Sequence, residues 1–160
     1  MYAVELFHTL RQKEIVGTLP QVIEDLVIDS RSVQPGSVFI CIKGYTVDGH
    51  DYAQQAVDSG ATVIVTERKL DLAGDICQVI VQSTDRTLGI LAAKFYDYPS
   101  KDIMMVGVTG TNGKTSVAGI IHNILIGMGE KCAMAGTIGF NLNGVLYESA
   151  NTTSDALTTQ

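Results

Sequence analysis

The sequence predicts an α/β fold in which short buried strands alternate with helices. Compact apolar runs, VFICI, TVIV and CQVIV, recur between residues 38 and 81. Segments with helical spacing of apolar residues, or with helix-capping signals, separate these runs, which is the pattern of strand–helix–strand units. A glycine-rich stretch at residues 107–116, GVTGTNGKTS, then joins a further apolar run to a second helical pattern.

Composition and charge point to a globular protein and argue against two classes of partner. The chain has 160 residues, 46% of them hydrophobic, and a formal net charge of -6. Basic runs do not stand out and aromatic side chains are few, so no nucleic acid is expected as a partner. No apolar run reaches membrane-spanning length, and the N-terminus does not resemble a signal peptide. Three separated cysteines, Cys41, Cys77 and Cys132, predict buried reduced thiols, which favours a cytoplasmic protein.

The amino-terminal part of the chain is predicted to form a small α/β domain. Apolar residues at helical spacing predict a first helix over residues 2–13. Strands are predicted where apolar runs lie between turn-forming residues, at 25–29, 37–44, 61–67 and 76–82. One helix is predicted to end at Gly60. Another is predicted to begin at a cap on Ser83 or Thr84 and to stop before Pro99.

A boundary is predicted at residues 99–101, where the tripeptide PSK follows the last of these helices. Beyond it the sequence predicts a strand, a helix and a strand in turn, at 102–108, 114–128 and 131–137. The helix has an apolar stripe made of Ala118, Ile121, Leu125 and Met128. Asn143 and Gly144 predict the tight turn of a hairpin over residues 140–149. This element order is typical of the start of a P-loop, Rossmann-like domain.

The glycine-rich loop before the second helix carries the strongest functional signal. Such a loop leaves backbone N–H groups converging at the positive end of a helix, where phosphate oxygens bind well. Lys114 is placed to reach β and γ phosphates, and the Thr115 hydroxyl can hold a magnesium ion. The usual P-loop pattern has a glycine five residues before Gly113. Here Val108 stands at that position, and the glycine is displaced to Gly110. The alternative is a chance glycine-rich turn with a solvated lysine.

The displaced pattern, G-T-N-G-K-T, closely resembles the nucleotide loop of the Mur ligases. Two other stretches resemble the MurE branch of that family. DSRSVQPGSVFICIKGYTVDGHDYAQQAVDSGA is similar to its N-terminal uridine-binding domain, and ANTT at residues 150–153 is similar to its substrate loop. The resemblance covers essentially the whole chain, with three separate motifs in the same order.

The resemblance implies an ATP-dependent amide ligase of peptidoglycan synthesis. Its substrate would be UDP-N-acetylmuramoyl-L-alanyl-D-glutamate, and it would add the third amino acid, meso-diaminopimelate or L-lysine. ATP would phosphorylate the D-glutamate carboxylate, and the amine would attack the resulting acyl phosphate. The implied cofactors are ATP and Mg²⁺. The implied domains are a UDP-substrate-binding domain at residues 1–98 and the first part of the central ATP-binding domain at 99–160.

Site residues follow from the same resemblance, position by position. Those that would cradle ATP are Thr109, Gly110, Thr111, Asn112, Gly113, Lys114, Thr115 and Ser116. Within this set Lys114 would be the catalytic residue and Thr115 the magnesium ligand. Those that would hold the uridine part of the substrate are Ile28, Ser30, Tyr45, Thr46 and Val47. Asn151, Thr152 and Thr153 would hold the muramoyl-dipeptide part; Ser154 stands where many relatives have proline.

Several of these residues have a simpler interpretation. Ser30 and Arg31 could cap a turn without binding anything, and residues 151–153 also fit a glycosylation sequon, which a chain without a secretory signal would not use. His50 and His122 have no partners at metal-ligand spacing, so both are interpreted as structural histidines.

The sequence lacks one part that a P-loop enzyme needs. No strand after Thr115 ends in an acidic residue that could hold magnesium, and Glu148 and Asp155 are poor candidates in polar surroundings. The chain is therefore expected to be an N-terminal fragment of a ligase and not to turn over alone. Two alternatives stay open: another ATP-dependent amino-acid ligase with the same loop, and a uridine-nucleotide-binding module with an incomplete P-loop.

Overall fold

A mostly parallel, five-stranded sheet organises the amino-terminal half of the chain, which confirms the predicted α/β class. Its strands are β1 (Glu14–Val16), β2 (Asp25–Val27), β3 (Ser37–Ile40), β4 (Val63–Thr66) and β5 (Cys77–Ile80). They are ordered β1-β5-β4-β3-β2, and only the pair of β1 with β5 is antiparallel. The computed structural model describes residues 1–44, 47–137, 139–147 and 156–159.

The chain divides into two units, Met1–Asp102 and Ile103–Thr159. The helices of the first unit are α1 (Ala3–His8), α2 (Ala53–Asp58) and α3 (Thr84–Phe95). It also has short 3-10 helices at Ser30–Ser32, Gly49–Tyr52 and Pro99–Lys101. Ser83 caps α3 as predicted, because its side chain accepts a hydrogen bond from the Arg86 N–H.

The core of the first unit lies on both faces of the sheet. Every residue of β3 and β4 is buried, which is expected of parallel strands covered on two sides. One face packs Phe39 and Ile64 against the alanines of α2. Successive side chains of a strand point to opposite faces, so Val38 and Val63 point to the other face. That leaves α1 and α3, which contact each other, to cover it.

The predicted helix over residues 2–13 is wrong in its second half. The helix ends at His8, and the chain then forms β1, which the sequence did not predict. This strand has three residues, lies at the sheet edge and has two exposed side chains. It therefore lacks the apolar alternation by which a strand is recognised, and it forms because β5 offers a free edge.

The second unit contains one long helix and a small antiparallel sheet. Its elements are α4 (Lys114–Gly127), β6 (Ala133–Gly136), β7 (Gly139–Leu142), β8 (Val145–Tyr147) and α5 (Ala156–Thr159). The three strands are ordered β6-β7-β8 and are antiparallel throughout. The turn predicted at Asn143 and Gly144 is confirmed, and both residues have the positive φ angles of a tight hairpin turn.

The strand predicted over residues 102–108 is not formed. No strand pairs with this segment within the described part of the chain, and its apolar side chains are exposed, with Met104 at 92%. An apolar run becomes a buried strand only where neighbouring strands accept its hydrogen bonds. The predicted helical stripe is only partly buried: Ala118, Ile121 and Leu125 are half-buried, and Met128 is exposed.

The cysteines and the helix lengths were also predicted from the sequence. All three cysteines are free thiols. Cys41 and Cys77 are buried as predicted, whereas Cys132 is half-buried. Burial raises the pKa of the Cys41 thiol to about 12. Among the described residues, no helix has the length and apolar character needed to cross a membrane.

Helices α3 and α4 end in the same backbone motif but with different residues. In α4 the N–H groups of Gly129 and Glu130 donate to the carbonyls of Ile126 and Leu125, and Gly129 has φ 84°. This is a Schellman cap, in which glycine usually occupies the left-handed position. In α3 the corresponding position is Asp97, with φ 58°. Its N–H and that of Tyr98 complete the same pair of bonds, to Lys94 and Ala93.

Replacement of Asp97 by glycine is expected to stabilise the first unit. A left-handed conformation costs a residue with a Cβ about 1 kcal/mol, and glycine avoids that cost. Asp97→Gly should therefore raise the free energy of unfolding by roughly 0.5–1 kcal/mol in urea denaturation. The matched control is Gly129→Ala, where an added Cβ meets no atom within 4 Å. That variant should lose stability by a similar amount. A destabilising Asp97→Gly would contradict the expectation.

Candidate functional site

The glycine-rich loop presents a row of unpaired backbone donors at the start of α4. Within the described residues, the N–H groups of residues 110–116 have no hydrogen-bond acceptor. Gly110 and Gly113 have φ angles of 149° and 78°, which let the loop turn into the helix with its amides outward. Gly113 is also the N-cap of α4, so the positive end of the helix lies at the same place. This arrangement can bind the oxygens of an anion such as phosphate.

Lys114 folds back over this loop. Its Nζ donates to the Gly110 carbonyl at 2.6 Å and to the Thr111 carbonyl at 3.4 Å. The side chain is exposed, so the two carbonyls are partners that a bound anion could replace. The ammonium group therefore lies within reach of any phosphate held by residues 110–116.

The described residues include one candidate magnesium ligand, Thr115. The Thr115 side chain is exposed on the first turn of α4, and no side-chain hydrogen bond joins it to another described residue. The part of the chain that the structure describes contains no group of three or more histidine, cysteine, aspartate or glutamate side chains placed to hold a metal. Thr115 fits the role of a single ligand, since magnesium is commonly held by few protein oxygens together with waters and substrate phosphates.

The predicted uridine-binding residues follow two neighbouring parallel strands. Ile28 and Ser30 come directly after β2, and Val47 lies in the connection after β3. The carboxyl ends of parallel strands share one edge, which is where α/β sheets commonly bind ligands. Ile28 is half-buried, Ser30 is buried and Val47 is exposed. Tyr45 and Thr46 lie outside the described residues.

The turn after β2 is built differently from the simple cap that the sequence allowed. Asp29, not Ser30, caps the 3-10 helix by accepting from the Arg31 N–H. Hydrogen bonds from the Arg31 side chain and backbone lower the pKa of Asp29 to about 2, and Asp29 raises the pKa of the guanidinium. The Ser30 hydroxyl is turned elsewhere and donates to Gln55 Oε1 of α2 at 3.3 Å.

Two described stretches of the connection after β3, residues 43–44 and 47–48, pair with each other; together we call these four residues the fold-back loop. Lys43 and Asp48 form an antiparallel bridge, and the Gly44 N–H donates to the Val47 carbonyl at 2.8 Å. Its second leg continues to Gly49, whose N–H donates to the Ile42 carbonyl at 2.8 Å. A Cβ at Gly49 would lie 2.7 Å from that carbonyl oxygen, so only glycine permits this contact.

A buried histidine links this loop to the next strand. The His50 ring Nδ1 hydrogen-bonds Asp48, and its Nε2 accepts from the Glu67 N–H at 3.1 Å. Hydrogen bonds from the backbone and side chain of His50 lower the pKa of Asp48. The Glu67 carboxylate in turn accepts from the N–H and the hydroxyl of Thr84, at the start of α3. Asp48 lies two residues before His50 and could have been suspected as its partner, but Glu67 could not be inferred from spacing.

The candidate residues thus fall into two groups in different units. Lys114 and its loop belong to the second unit, whereas Ser30 and the fold-back loop belong to the first. Asn151, Thr152 and Thr153, like Glu148 and Asp155, lie outside the described residues. His122 is buried on α4, and its Nε2 has no hydrogen-bond partner in the described part of the chain.

Comparison with known proteins gives matches along most of the chain. The model of the Mur ligase family, catalytic domain, matches residues 22–96, and that of the Mur ligase middle domain matches residues 108–160. The UDP-N-acetylmuramoyl-L-alanyl-D-glutamate--L-lysine ligase of Staphylococcus haemolyticus (strain JCSC1435) is 46% identical over 98% of this chain and 32% of its own length. The UDP-N-acetylmuramyl-tripeptide synthetase 2 of Oceanobacillus iheyensis is 44% identical over 100% of this chain and 33% of its own length.

Solved structures give the same picture at lower identity. A UDP-N-acetylmuramoyl-L-alanyl-D-glutamate--2,6-diaminopimelate ligase superposes with a TM-score of 0.66 and 26% identity, over 87% of this chain and 28% of that one. MurF from Acinetobacter baumannii superposes with a TM-score of 0.59 and 28% identity, over 78% and 27% of the two chains. The chain spans about a third of the length of the curated relatives that it matches. With both of its units matched by models of one family, the chain belongs to the Mur ligases.

Proposed function

We propose that this chain contributes the uridine-nucleotide-binding and ATP-binding parts of an amide ligase of peptidoglycan synthesis. The reaction would join an amino acid to UDP-N-acetylmuramoyl-L-alanyl-D-glutamate, the substrate named for the staphylococcal relative. The observation that carries the proposal is the row of free N–H groups at residues 110–116, beside Lys114 at the N-terminus of α4. Such a cradle suits nucleotide phosphates.

In this proposal the glycine-rich loop positions the phosphates and neutralises their charge. Magnesium ATP, when bound, supplies the phosphoryl group that activates the D-glutamate carboxylate as an acyl phosphate. Lys114 would exchange the carbonyls of Gly110 and Thr111 for phosphate oxygens, and Thr115 would hold magnesium through its hydroxyl oxygen. The remaining loop residues, Thr109, Asn112, Gly113 and Ser116, contribute backbone and side-chain donors.

The carboxyl edge of the five-stranded sheet is proposed to hold the other substrate. Ile28, Ser30 and Val47, with Tyr45 and Thr46, would contact the uridine nucleotide. Ser30 suits the role of a hydrogen-bond acceptor for the ligand. Its buried hydroxyl donates a hydrogen bond to Gln55, so the oxygen lone pairs can accept from a donor on the ligand. The dipeptide side of the substrate would be held by Asn151, Thr152 and Thr153.

L-lysine is the favoured amino acid, because the staphylococcal relative at 46% identity is named for it. Meso-diaminopimelate is the second candidate, since a solved structure at 26% identity is named for that amino acid. The proposed compartment is the cytoplasm. It supplies ATP, and it keeps thiols such as the buried Cys41 and Cys77 reduced.

Removal of the Lys114 ammonium is expected to abolish ligation without unfolding the protein. The test is a chimera in which this chain replaces the matching 32% of the Staphylococcus haemolyticus ligase. Lys114→Ala should lower the rate of ATP-dependent ligation about 1000-fold, because the charge on the transferring phosphoryl group loses its neutralising partner. Circular dichroism checks the fold.

The matched control for this variant is Lys131→Ala, which removes an exposed lysine of the same unit outside the loop. It should ligate at the rate of the parent chimera. A near-normal rate for Lys114→Ala would contradict the assignment of the glycine-rich loop to ATP binding. Tight uridine-nucleotide binding by a chimera that never consumes ATP would favour the alternative of a nucleotide-binding module.

Loss of the Ser30 hydroxyl is expected to weaken binding of the uridine substrate. Calorimetry on the 160-residue chain with UDP-N-acetylmuramoyl-L-alanyl-D-glutamate measures the effect. Ser30→Ala should lower the affinity by about 1–3 kcal/mol, because a buried hydrogen bond to the ligand is lost and Gln55 loses its donor.

Ser37→Ala is the control at the opposite edge of the sheet. Ser37, the first residue of β3, is also buried, and its Oγ accepts from the Gln34 N–H at 3.0 Å. This variant should bind the uridine substrate as the unmodified chain does. If both serine variants lost affinity equally, Ser30 would be a structural residue and not a contact to the ligand.

A further inference from the structure

His50 is a buried histidine at the carboxyl edge of the sheet. Its side chain is 1% exposed, and both ring nitrogens are hydrogen-bonded. Nε2 faces the N–H of Glu67, so it must accept and carries no proton of its own. Nδ1 then carries the ring proton and donates it to Asp48. The contacts therefore select one neutral tautomer.

This ring ties together connections that are distant in sequence. Asp48 ends the fold-back loop after β3, whereas Glu67 follows β4. The Glu67 carboxylate is bonded to Thr84, so the link extends to the start of α3 after β5. The Asp48 carboxylate has a second, weaker contact with the segment after β4. The Arg68 guanidinium lies 3.8 Å from it and is more than half exposed.

The His50 ring connects the fold-back loop with the residue that follows β4. The backbone bonds Gly44 to Val47 and Gly49 to Ile42 join residues of the connection after β3 to one another. The hydrogen bond from the Glu67 N–H to His50 joins this connection to the residue that follows β4, 17 positions along the chain. An apolar ring of the same size would fill the same space but would leave the Glu67 N–H without this acceptor.

We propose that His50 is a positioning residue for uridine-nucleotide binding, acting through the hydrogen bonds of its ring to Asp48 and Glu67. It would hold the fold-back loop against the carboxyl edge of the sheet, where Val47 and Ser30 are proposed to contact the nucleotide. This inference rests on the proposed function of that edge. The simpler interpretation, a histidine that only fills the core, makes different predictions for size-matched substitutions.

Two variants of the 160-residue chain separate the interpretations, with uridine 5′-diphosphate as the probe. His50→Gln can place its Oε1 near the position of Nε2 and still accept from Glu67. Its affinity for uridine diphosphate should stay within about threefold of that of the unmodified chain. His50→Phe keeps the volume but removes the acceptor and the donor. Its affinity should fall about 10- to 100-fold. Ile23→Val, a conservative core change away from the site, should leave the affinity unchanged.

Nuclear magnetic resonance supplies readouts that need no ligand. The imidazole nitrogens of His50 should show a protonated Nδ1 and an unprotonated Nε2 at neutral pH. In His50→Phe, the amides of Gly44 and Gly49 should exchange with solvent at least tenfold faster, while those of β3 and β4 keep their protection. In His50→Gln, the amides of Gly44 and Gly49 should stay protected.

The outcomes distinguish this inference from the proposed function. Unchanged loop exchange in His50→Phe, or a ring protonated on Nε2, overturns the positioning role, even if uridine diphosphate binds the unmodified chain. Binding that survives the phenylalanine change overturns it as well. Faster loop exchange in a chain that never binds uridine diphosphate would instead sink the proposed uridine site, while the structural link through His50 stands. If His50→Phe fails to fold, His50→Gln and the tautomer decide.

Discussion

Parallel pairing of four neighbouring strands is the constraint on which the first unit depends. Because β2, β3, β4 and β5 run in the same direction, the connections that follow them emerge at one edge of the sheet. Both faces of β3 and β4 are buried, and the polar residues of these two strands, Ser37 and Thr66, stand at strand ends. The polar chemistry of the unit is therefore concentrated at its strand ends, where Ser30, His50 and Glu67 lie.

Burial makes the hydrogen bonds at that edge obligatory. His50 and Thr84 have little or no exposed surface, so an unpaired polar atom on either would cost about 1–3 kcal/mol. Each is paired, and their shared partner Glu67 joins the loop after β3 to the helix after β5. The same bonds that the fold requires also fix the shape of the surface offered to a ligand. A change in one of them is therefore expected to alter stability and binding together unless the replacement keeps the hydrogen bond.

In the second unit, the geometry of the glycine-rich loop depends on neighbouring residues. The loop before α4 needs two glycines with positive φ, a helix N-terminus and Lys114, all within residues 110–116. Its N–H groups stay free because the segment is exposed and no other described residue reaches them. The exposed N–H groups beside Lys114 are thus encoded in a few consecutive residues, whereas the contacts of Ser30 and His50 in the first unit join residues that are distant in sequence.

Features with local causes could be predicted from the sequence. The α/β class, the cap at Ser83, the hairpin turn at Asn143 and Gly144, and the helix that begins at Lys114 all depend on neighbouring residues. Helix caps, tight turns and glycine-rich loops have residue preferences that come from backbone dihedrals and short-range hydrogen bonds. For the same reason the glycine-rich loop before α4 could be identified from the sequence as a candidate phosphate-binding site.

Features with distant causes could not be predicted in this way. The three residues of β1 form a strand only because β5 has a free edge, and the apolar segment 102–108 does not form one because no described strand pairs with it. Ser30 meets Gln55 across 25 residues, and His50 meets Glu67 across 17. No local sequence pattern predicts these partners. They meet because of the order in which the strands pair and the burial that results from it.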